Sequence, residues 1–350
     1  MKATFKKYIL NFKQPGGTSR GVLHTKETYF LILEKNQKIG IGECALFKGL
    51  SVDNCPDYVS KLQWLCNNIK LNKDFLLEEL LEFPSIQFGL EQALLSFNSS
   101  DKFTLFPSSF TKGNSAIAIN GLVWMGDKKF MQKQIKEKLS SGFTTIKLKI
   151  GAIDFKSELD LLKSIRNEFT VNEIALRVDA NGAFHPNKAL EKLKRLSDFE
   201  LHSIEQPIKV GQWQEMADLC KKTPLPIALD EELIGVFNKS DKENMLQTIK
   251  PQFIILKPSL IGGIRGSNEW IKVANNNNKV EWWITSALES NIGLNAIAQY
   301  TYVMDNKMPQ GLGTGSLFSN NITSPLQVEN GALYYNVDKK DKWDISILNL

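Results

Sequence analysis

At 350 residues, with 42% hydrophobic and 23% charged side chains, the chain has the composition of a globular protein and the length for a large barrel with a smaller attached domain. Coiled coil, collagen and disorder are excluded. A net charge of +5, dispersed along the chain, is too weak for a nucleic-acid footprint and is compatible with a small anionic substrate.

From the N-terminus, residues 3–12 (ATFKKYILNF), the alternating run 21–30 and the segment 39–46 predict a three-stranded antiparallel meander, with Lys35-Asn36-Gln37-Lys38 as a turn. Gln14 to Gly21, between the first two strands, has the glycine-rich composition of a mobile loop. Helical patterns near 54–70, 74–82 and 85–98 follow and end in the polar Asn98-Ser99-Ser100-Asp101, which completes an α+β domain. The texture then changes to short apolar strands alternating with amphipathic helices: SAIAINGLVW, FTTIKLKIG, EIALRVDANG, LHSIEQP, LPIALDEEL, QFIILKPS, EWWITSALES and a last element near PQGLGTG. Eight such strands predict a closed (β/α) barrel rather than an open sheet.

Asp179, Glu205, Asp230 and Lys257 each close an apolar run, and every interval between them matches one strand plus one helix. In a barrel the C-terminal strand ends carry the active site, so the four side chains should converge on one mouth. Three carboxylates without a positioned His or Cys form a hard oxygen site that favours Mg2+ or Mn2+ over Zn2+. Each acid taken alone reads equally well as a helix cap.

Lys147 and Lys149, two residues apart on one strand, share a face. If that face looks inward, burial, mutual repulsion and a cation disfavour the protonated form, so at least one of them suits a neutral base. Lys257 lies four strands further on, across the mouth. Together these groups suit removal of a proton α to a carboxylate, with positive charge stabilising the enediolate.

The set KLK, RVDANG, IEQP, ALDEEL, ILKPS and SALESNIGL, in this order and spacing, resembles the enolase superfamily, in the muconate-lactonizing-like subgroup with lysines on both sides of the site. The resemblance covers nearly the whole chain. Within the subgroup, TSRG, SALESNIGL and GLGTGSLF are most similar to the o-succinylbenzoate synthase family.

That resemblance implies an α/β fold: a (β/α)7β barrel over residues 113–319 and an α+β capping domain over 1–112, to which part of the tail 320–350 returns. It implies Mg2+, with Mn2+ as a substitute, on Asp179, Glu205 and Asp230, and a syn dehydration that yields an aromatic ring for menaquinone biosynthesis. Lys149 would be the base and return its proton to the departing hydroxyl, Lys257 would stabilise the enediolate from the opposite face, and Lys147 would assist the carboxylate. Asn181 matches a position that supports the site, although an Asn in a DANG turn also serves backbone geometry. Arg20 in the glycine-rich loop would contact the succinyl carboxylate or order a lid, and Ser286, Gly311 and Leu312 are candidates for the distal end of the substrate. Strand alternation turns Glu231 away from the metal, and Glu289 reads as a structural hydrogen-bond partner. None of His24, His185 and His202 stands on the late strand where a related subgroup carries a histidine base.

Dipeptide epimerase, N-succinylamino acid racemase and muconate cycloisomerase would use the same metal and lysines, whereas a catalytically dead scaffold would have lost at least one of the six groups, and all six remain. Cys44, Cys55, Cys66 and Cys220 lack CxxC spacing and read as reduced thiols. With no signal-like apolar stretch at the start and no membrane-length run later, a cytoplasmic protein without nucleic-acid or membrane partners is expected. Nothing in the sequence specifies an oligomeric state.

Overall fold

The computed structural model describes residues 1–18, 21–124, 126–277, 280–339 and 343–348. It opens with an antiparallel sheet of β1 (Lys2–Thr18), β2 (Gly21–Lys35) and β3 (Lys38–Cys44), in that order. Asn36 and Gln37 both take left-handed backbone angles, the conformation a two-residue hairpin needs to match strand twist. The glycine-rich segment differs from the loop expected there. After an irregularity between Asn11 and Gly16 the β1–β2 ladder resumes, pairing Gly16 with Leu23 and Thr18 with Gly21. Arg20, in the same segment, lies outside the described residues.

Helices α1 (Tyr58–Asn68), α2 (Lys73–Glu79) and α3 (Pro84–Asn98) follow. The backbones of α3 and β3 touch. A Cβ on Gly42 would lie 1.9 Å from the carbonyl oxygen of Gly89. Leu31, Leu33, Leu62, Leu65 and Leu90 fill the core between sheet and helices.

The run SAIAINGLVW, expected as one strand, divides into β4 (Ile117–Ala118) and β5 (Gly121–Val123). From β5 onward strands and helices alternate: α4 (Lys128–Ser140), β6 (Thr145–Lys149), α5 (Phe155–Glu168), β7 (Ala175–Asp179), α6 (Pro186–Ser197), β8 (Ser203–Glu205), α7 (Trp213–Lys222), β9 (Ile227–Leu229), α8 (Lys239–Ile249), β10 (Phe253–Leu256), α9 (Gly263–Asn276), β11 (Glu281–Ile284) and α10 (Asn291–Val303). Strands β5 to β11 form one parallel sheet in sequence order. The ring closes through two residues. Gln310 pairs in parallel with Ile119 and Gly311 with Thr285, with Gly311 N donating to Ile284 O at 2.8 Å and Asn120 N to Gln310 O at 2.9 Å. Seven strand–helix units and a short eighth strand make a (β/α)7β barrel.

The tail divides its contacts. Phe318 bridges to Phe12, and Leu348 packs with Phe30 and Ile41 of the first sheet, whereas the hairpin β12 (Leu326–Glu329) and β13 (Ala332–Tyr335) pairs with β4. Among the described residues no helix is long and apolar enough to cross a membrane, and the four cysteines are free thiols.

Two buried carboxylates of the capping region cap barrel helices. Glu43 accepts from Ser290 N and Gly293 N, each at 2.9 Å, at the start of α10. Glu91 accepts from Ile264 N and from Arg265 N (2.6 and 2.9 Å) in the first turn of α9. The helix termini favour negative charge there. Both helices follow strands that deliver site residues, so the caps tie the capping elements to the barrel mouth.

Two predictions concern this framework. Gly42→Ala forces β3 and α3 apart and should lower unfolding free energy by about 3 kcal/mol or more in a urea titration. Burial pushes the Glu91 carboxyl up to about 7, from a reference of 4.5. A carboxyl whose pKa is raised on folding binds extra protons in the folded state, so its contribution to stability is lost as pH rises through that window. Glu91→Gln should abolish this: the stability of the parent relative to the variant should fall by on the order of 2–3 kcal/mol between about pH 5 and about pH 8. An unchanged difference across that range would show that Glu91 does not titrate there.

Candidate active site

Alternation along each barrel strand decides what looks inward. Lys147 and Lys149 of β6, Arg177 and Asp179 of β7, and Ser203 and Glu205 of β8 stand on the interior face. In-register pairing sets Lys147 beside Arg177, Lys149 beside Asp179 and Asp179 beside Glu205. Asp230 and Lys257 follow directly on β9 and β10. The phase expected from the sequence therefore brings all six groups to one end of the barrel.

They form a buried charge network. Lys147 donates to Glu205 and pairs with Asp179 at 2.9 Å; Lys149 donates to Asp179 and to Asn181 Oδ1, both at 2.7 Å; Lys257 donates to Asp230. Glu205 also interacts electrostatically with both Asp179 and Asp230, so the three carboxylates form one cluster. Burial and the Asp179 charge hold the Glu205 carboxyl well above the usual range. For Asp179 burial is outweighed by Lys147 and Lys149, and its carboxyl lies far below that range. Burial would lower the Lys147 ammonium, yet Asp179, Glu205 and Asp230 together raise it. In this network three carboxylates outweigh desolvation and favour the protonated form of Lys147.

The carboxylate oxygens face ammonium groups, and among the described residues no three carboxylate, imidazole or thiol side chains stand ready as a metal cage. The donor chemistry nonetheless suits a hard divalent cation. Three clustered carboxylates repel one another, and Glu205 Oε1 is buried without a hydrogen-bond partner.

Above the network lies a cavity of about 480 Å3, a volume in the range of small-molecule sites. Lys147, Lys149, Lys257, Asn181 and Glu231 line its floor, Phe47 and Leu50 enter from the capping region, and Trp124, Leu288 and Leu317 form apolar walls. Asn181, at φ +44°, accepts from Lys149 and donates to Glu231 Oε1 at 2.9 Å, so it serves both backbone geometry and side-chain positioning. Glu231 does not turn away as strand alternation suggested. The strand ends at Leu229, and a 3-10 turn over Glu231–Leu233 swings the carboxylate to the cavity.

Other expected contacts fare unequally. Ser286 and Gly311 line the cavity, but Leu312 is fully buried in the barrel core, away from that lining. The Ser286 hydroxyl donates to Glu289 and accepts from Thr314 Oγ1 at 2.8 Å, so its proton is already committed. Glu289 is, as read from sequence, a structural acceptor.

Arg177 went unnoticed in the sequence because RVD reads as an ordinary strand end. It fills the barrel below the carboxylates, 4.1 Å from the Trp283 ring, and donates to Pro309 O at 2.8 Å. His202 stacks on Phe253 in the same layer, and burial with the Arg177 charge holds it down to about 4. It is a half-buried residue held toward its neutral form, outside the cavity lining.

Residues 131–339 match the family model described as "Enolase C-terminal domain-like". The chain belongs to the enolase superfamily. It is 45% identical to the o-succinylbenzoate synthase of Desulfotalea psychrophila, over 95% of this chain and 98% of that protein. The crystal structure of MenC from Desulfotalea psychrophila LSv54 superposes with a TM-score of 0.85 at 42% identity, covering 95% of this chain and 99% of that one. An L-Ala-D/L-Glu epimerase of Francisella tularensis subsp. novicida is 31% identical over 48% of this chain and 46% of its own.

The committed Ser286 proton yields a stability prediction. Ser286→Ala removes one donor from the buried Glu289 carboxylate and should cost about 1–3 kcal/mol in urea unfolding. A variant as stable as the parent would mean that the hydroxyl is not holding Glu289.

Proposed function

We propose that this enolase-superfamily protein is an o-succinylbenzoate synthase, a hydro-lyase converting 2-succinyl-6-hydroxy-2,4-cyclohexadiene-1-carboxylate to o-succinylbenzoate. The observation that carries this reading is the buried lysine–carboxylate mouth in a chain that matches a synthase of that name along nearly its whole length. The cofactor is Mg2+, held by Asp179, Glu205 and Asp230, and when bound it supplies positive charge against the enediolate that develops at the substrate carboxylate.

Lys149 takes the proton α to the carboxylate and returns it to the hydroxyl on the same face, which departs as water and leaves the ring aromatic. Its Nζ is held by Asn181 Oδ1, so the amide aims the base. Lys257 faces it across the mouth and stabilises the enediolate electrostatically. Lys147, raised above its ordinary value, stays cationic and receives the substrate carboxylate. The apolar walls of Trp124, Leu288 and Leu317 exclude water from the diene. The substrate is a small carboxylate, and the site of action is the cytoplasm.

A two-base epimerization would also place lysines on opposite faces. Against it, the eighth-strand side of the cavity presents Gly311, Gly313, Thr314 and Ser316, and the carboxylates that line the cavity among the described residues, Glu231 and Glu329, come from other elements.

Turnover of the cyclohexadiene substrate should depend on Mg2+ and stop on chelation. Lys149→Ala should lower kcat by about 1000-fold or more while the far-ultraviolet spectrum stays native. Absence of turnover with the authentic substrate, alongside brisk epimerization of a dipeptide, would overturn the assignment.

A further inference from the structure

A side-chain amide carries an acceptor at one end and donors at the other, so its orientation decides what a neighbour receives. Asn181 stands between two such neighbours: its Oδ1 accepts from Lys149 Nζ at 2.7 Å, and its Nδ2 donates to Glu231 Oε1 at 2.9 Å. The left-handed backbone at φ +44° and the bond from its own N to Asp179 Oδ1 at 3.1 Å fix where this side chain starts, but neither chooses which end of the amide meets the lysine. Glu231 makes that choice. A carboxylate presents oxygens only, so it takes the NH2 group and leaves the carbonyl oxygen for Lys149.

The orientation bears on the proton transfer proposed above for Lys149, the reading on which this inference rests. An amine that takes a proton needs its lone pair free and aimed at the carbon acid. With Oδ1 toward it, Lys149 commits an N–H to the amide and keeps the pair for substrate. With Nδ2 toward it, the amide would donate into that pair and occupy it. Glu231 is itself held for this role. Strand β9 ends at Leu229, and Gln206 Oε1 accepts from Asp230 N and from Glu232 N, each at 3.3 Å, on either side of Glu231. The buried Glu232 carboxylate accepts from Gln206 Nε2 and Gly211 N, both at 2.8 Å, and from Trp213 Nε1 at 2.9 Å. One acid of the turn is thus locked among protein donors, and the other is presented to the cavity floor beside Asn181.

We propose that Glu231 is a positioning residue: by accepting from Asn181 Nδ2 it locks the amide with Oδ1 toward Lys149, and so keeps the lone pair of the base open to substrate. The lock needs an acceptor at this place, not a negative charge as such. Glu231 also contributes negative charge at Lys257 across the mouth. That is a separate effect, which a neutral acceptor would lose while the lock survived.

The test pairs a substrate-free measurement with steady-state kinetics that rest on the proposed dehydration. In the full chain, solvent exchange of the Asn181 side-chain NH2 hydrogens, followed by NMR, should be slowed by about tenfold or more against a free amide, and Glu231→Met should remove that protection. The same substitution should lower kcat by about tenfold with KM within about twofold of the parent. Glu231→Gln offers an amide oxygen in place of the carboxylate and should keep kcat within about threefold of the parent. In the Asn181→Gly background, which tolerates the left-handed backbone, Glu231→Met should change kcat by less than about twofold. Glu231→Gln as slow as Glu231→Met, or an equal loss in both backgrounds, would overturn the inference in favour of charge at Lys257 or at the metal site. Should the parent fail to turn over the cyclohexadiene substrate, the dehydration reading falls; NH2 protection lost in Glu231→Met then still supports the lock, and protection left unchanged refutes it. Should Glu231→Met fail to fold, the parent spectrum and Glu231→Gln decide: a protected NH2 group with kcat within about threefold supports the lock, and an unprotected group or a larger loss refutes it.

Discussion

Everything at the barrel mouth follows from the need to keep three clustered carboxylates in a place that water barely reaches. Asp179, Glu205 and Asp230 are between 0% and 2% exposed, and no stable fold tolerates such a set without compensating positive charge. Lys147, Lys149 and Lys257 supply it. Placing three ammonium groups within reach requires strands in register, a closed ring and a capping region fastened to it, and each of these has its own device in the chain. The in-register pairing of Lys149 with Asp179 and of Asp179 with Glu205 sets the spacing; Gln310 and Gly311 close the ring; Glu43 and Glu91 fasten the capping elements.

The same charge balance suits the mouth to the proposed cation and the proposed base. Burial alone would neutralise lysines and carboxylates alike. In combination Lys147, Lys257, Asp179 and Asp230 are shifted toward their charged forms and Glu205 toward its neutral one, and the lysines differ according to what they touch. Lys147 meets two carboxylates and is held cationic, whereas Lys149 shares its bonds between one carboxylate and the neutral Asn181. That asymmetry suits Lys149, rather than Lys147, to exchange a proton with substrate.

Strand-end chemistry was legible in the sequence because a parallel barrel repeats a strand and helix with nearly constant length, so Asp179, Glu205, Asp230 and Lys257 announce their phase. What was not legible depends on local departures from that repeat. A strand that stops at Leu229 turns Glu231 inward, which alternation cannot foresee. The eighth strand is a pair of bridging residues too short to show a pattern, and Leu312 beyond it faces the core. The division of SAIAINGLVW between two sheets depends on pairing with a hairpin more than 200 residues later.

The most direct test of the buried lysine–carboxylate mouth is a crystal structure of the protein with Mg2+ and o-succinylbenzoate. The proposed chemistry predicts one ion bound by Asp179, Glu205 and Asp230, with the product carboxylate beside it and the ring between Lys149 and Lys257. An ion held by other residues, or a product ring lying outside the space between those two lysines, would contradict it.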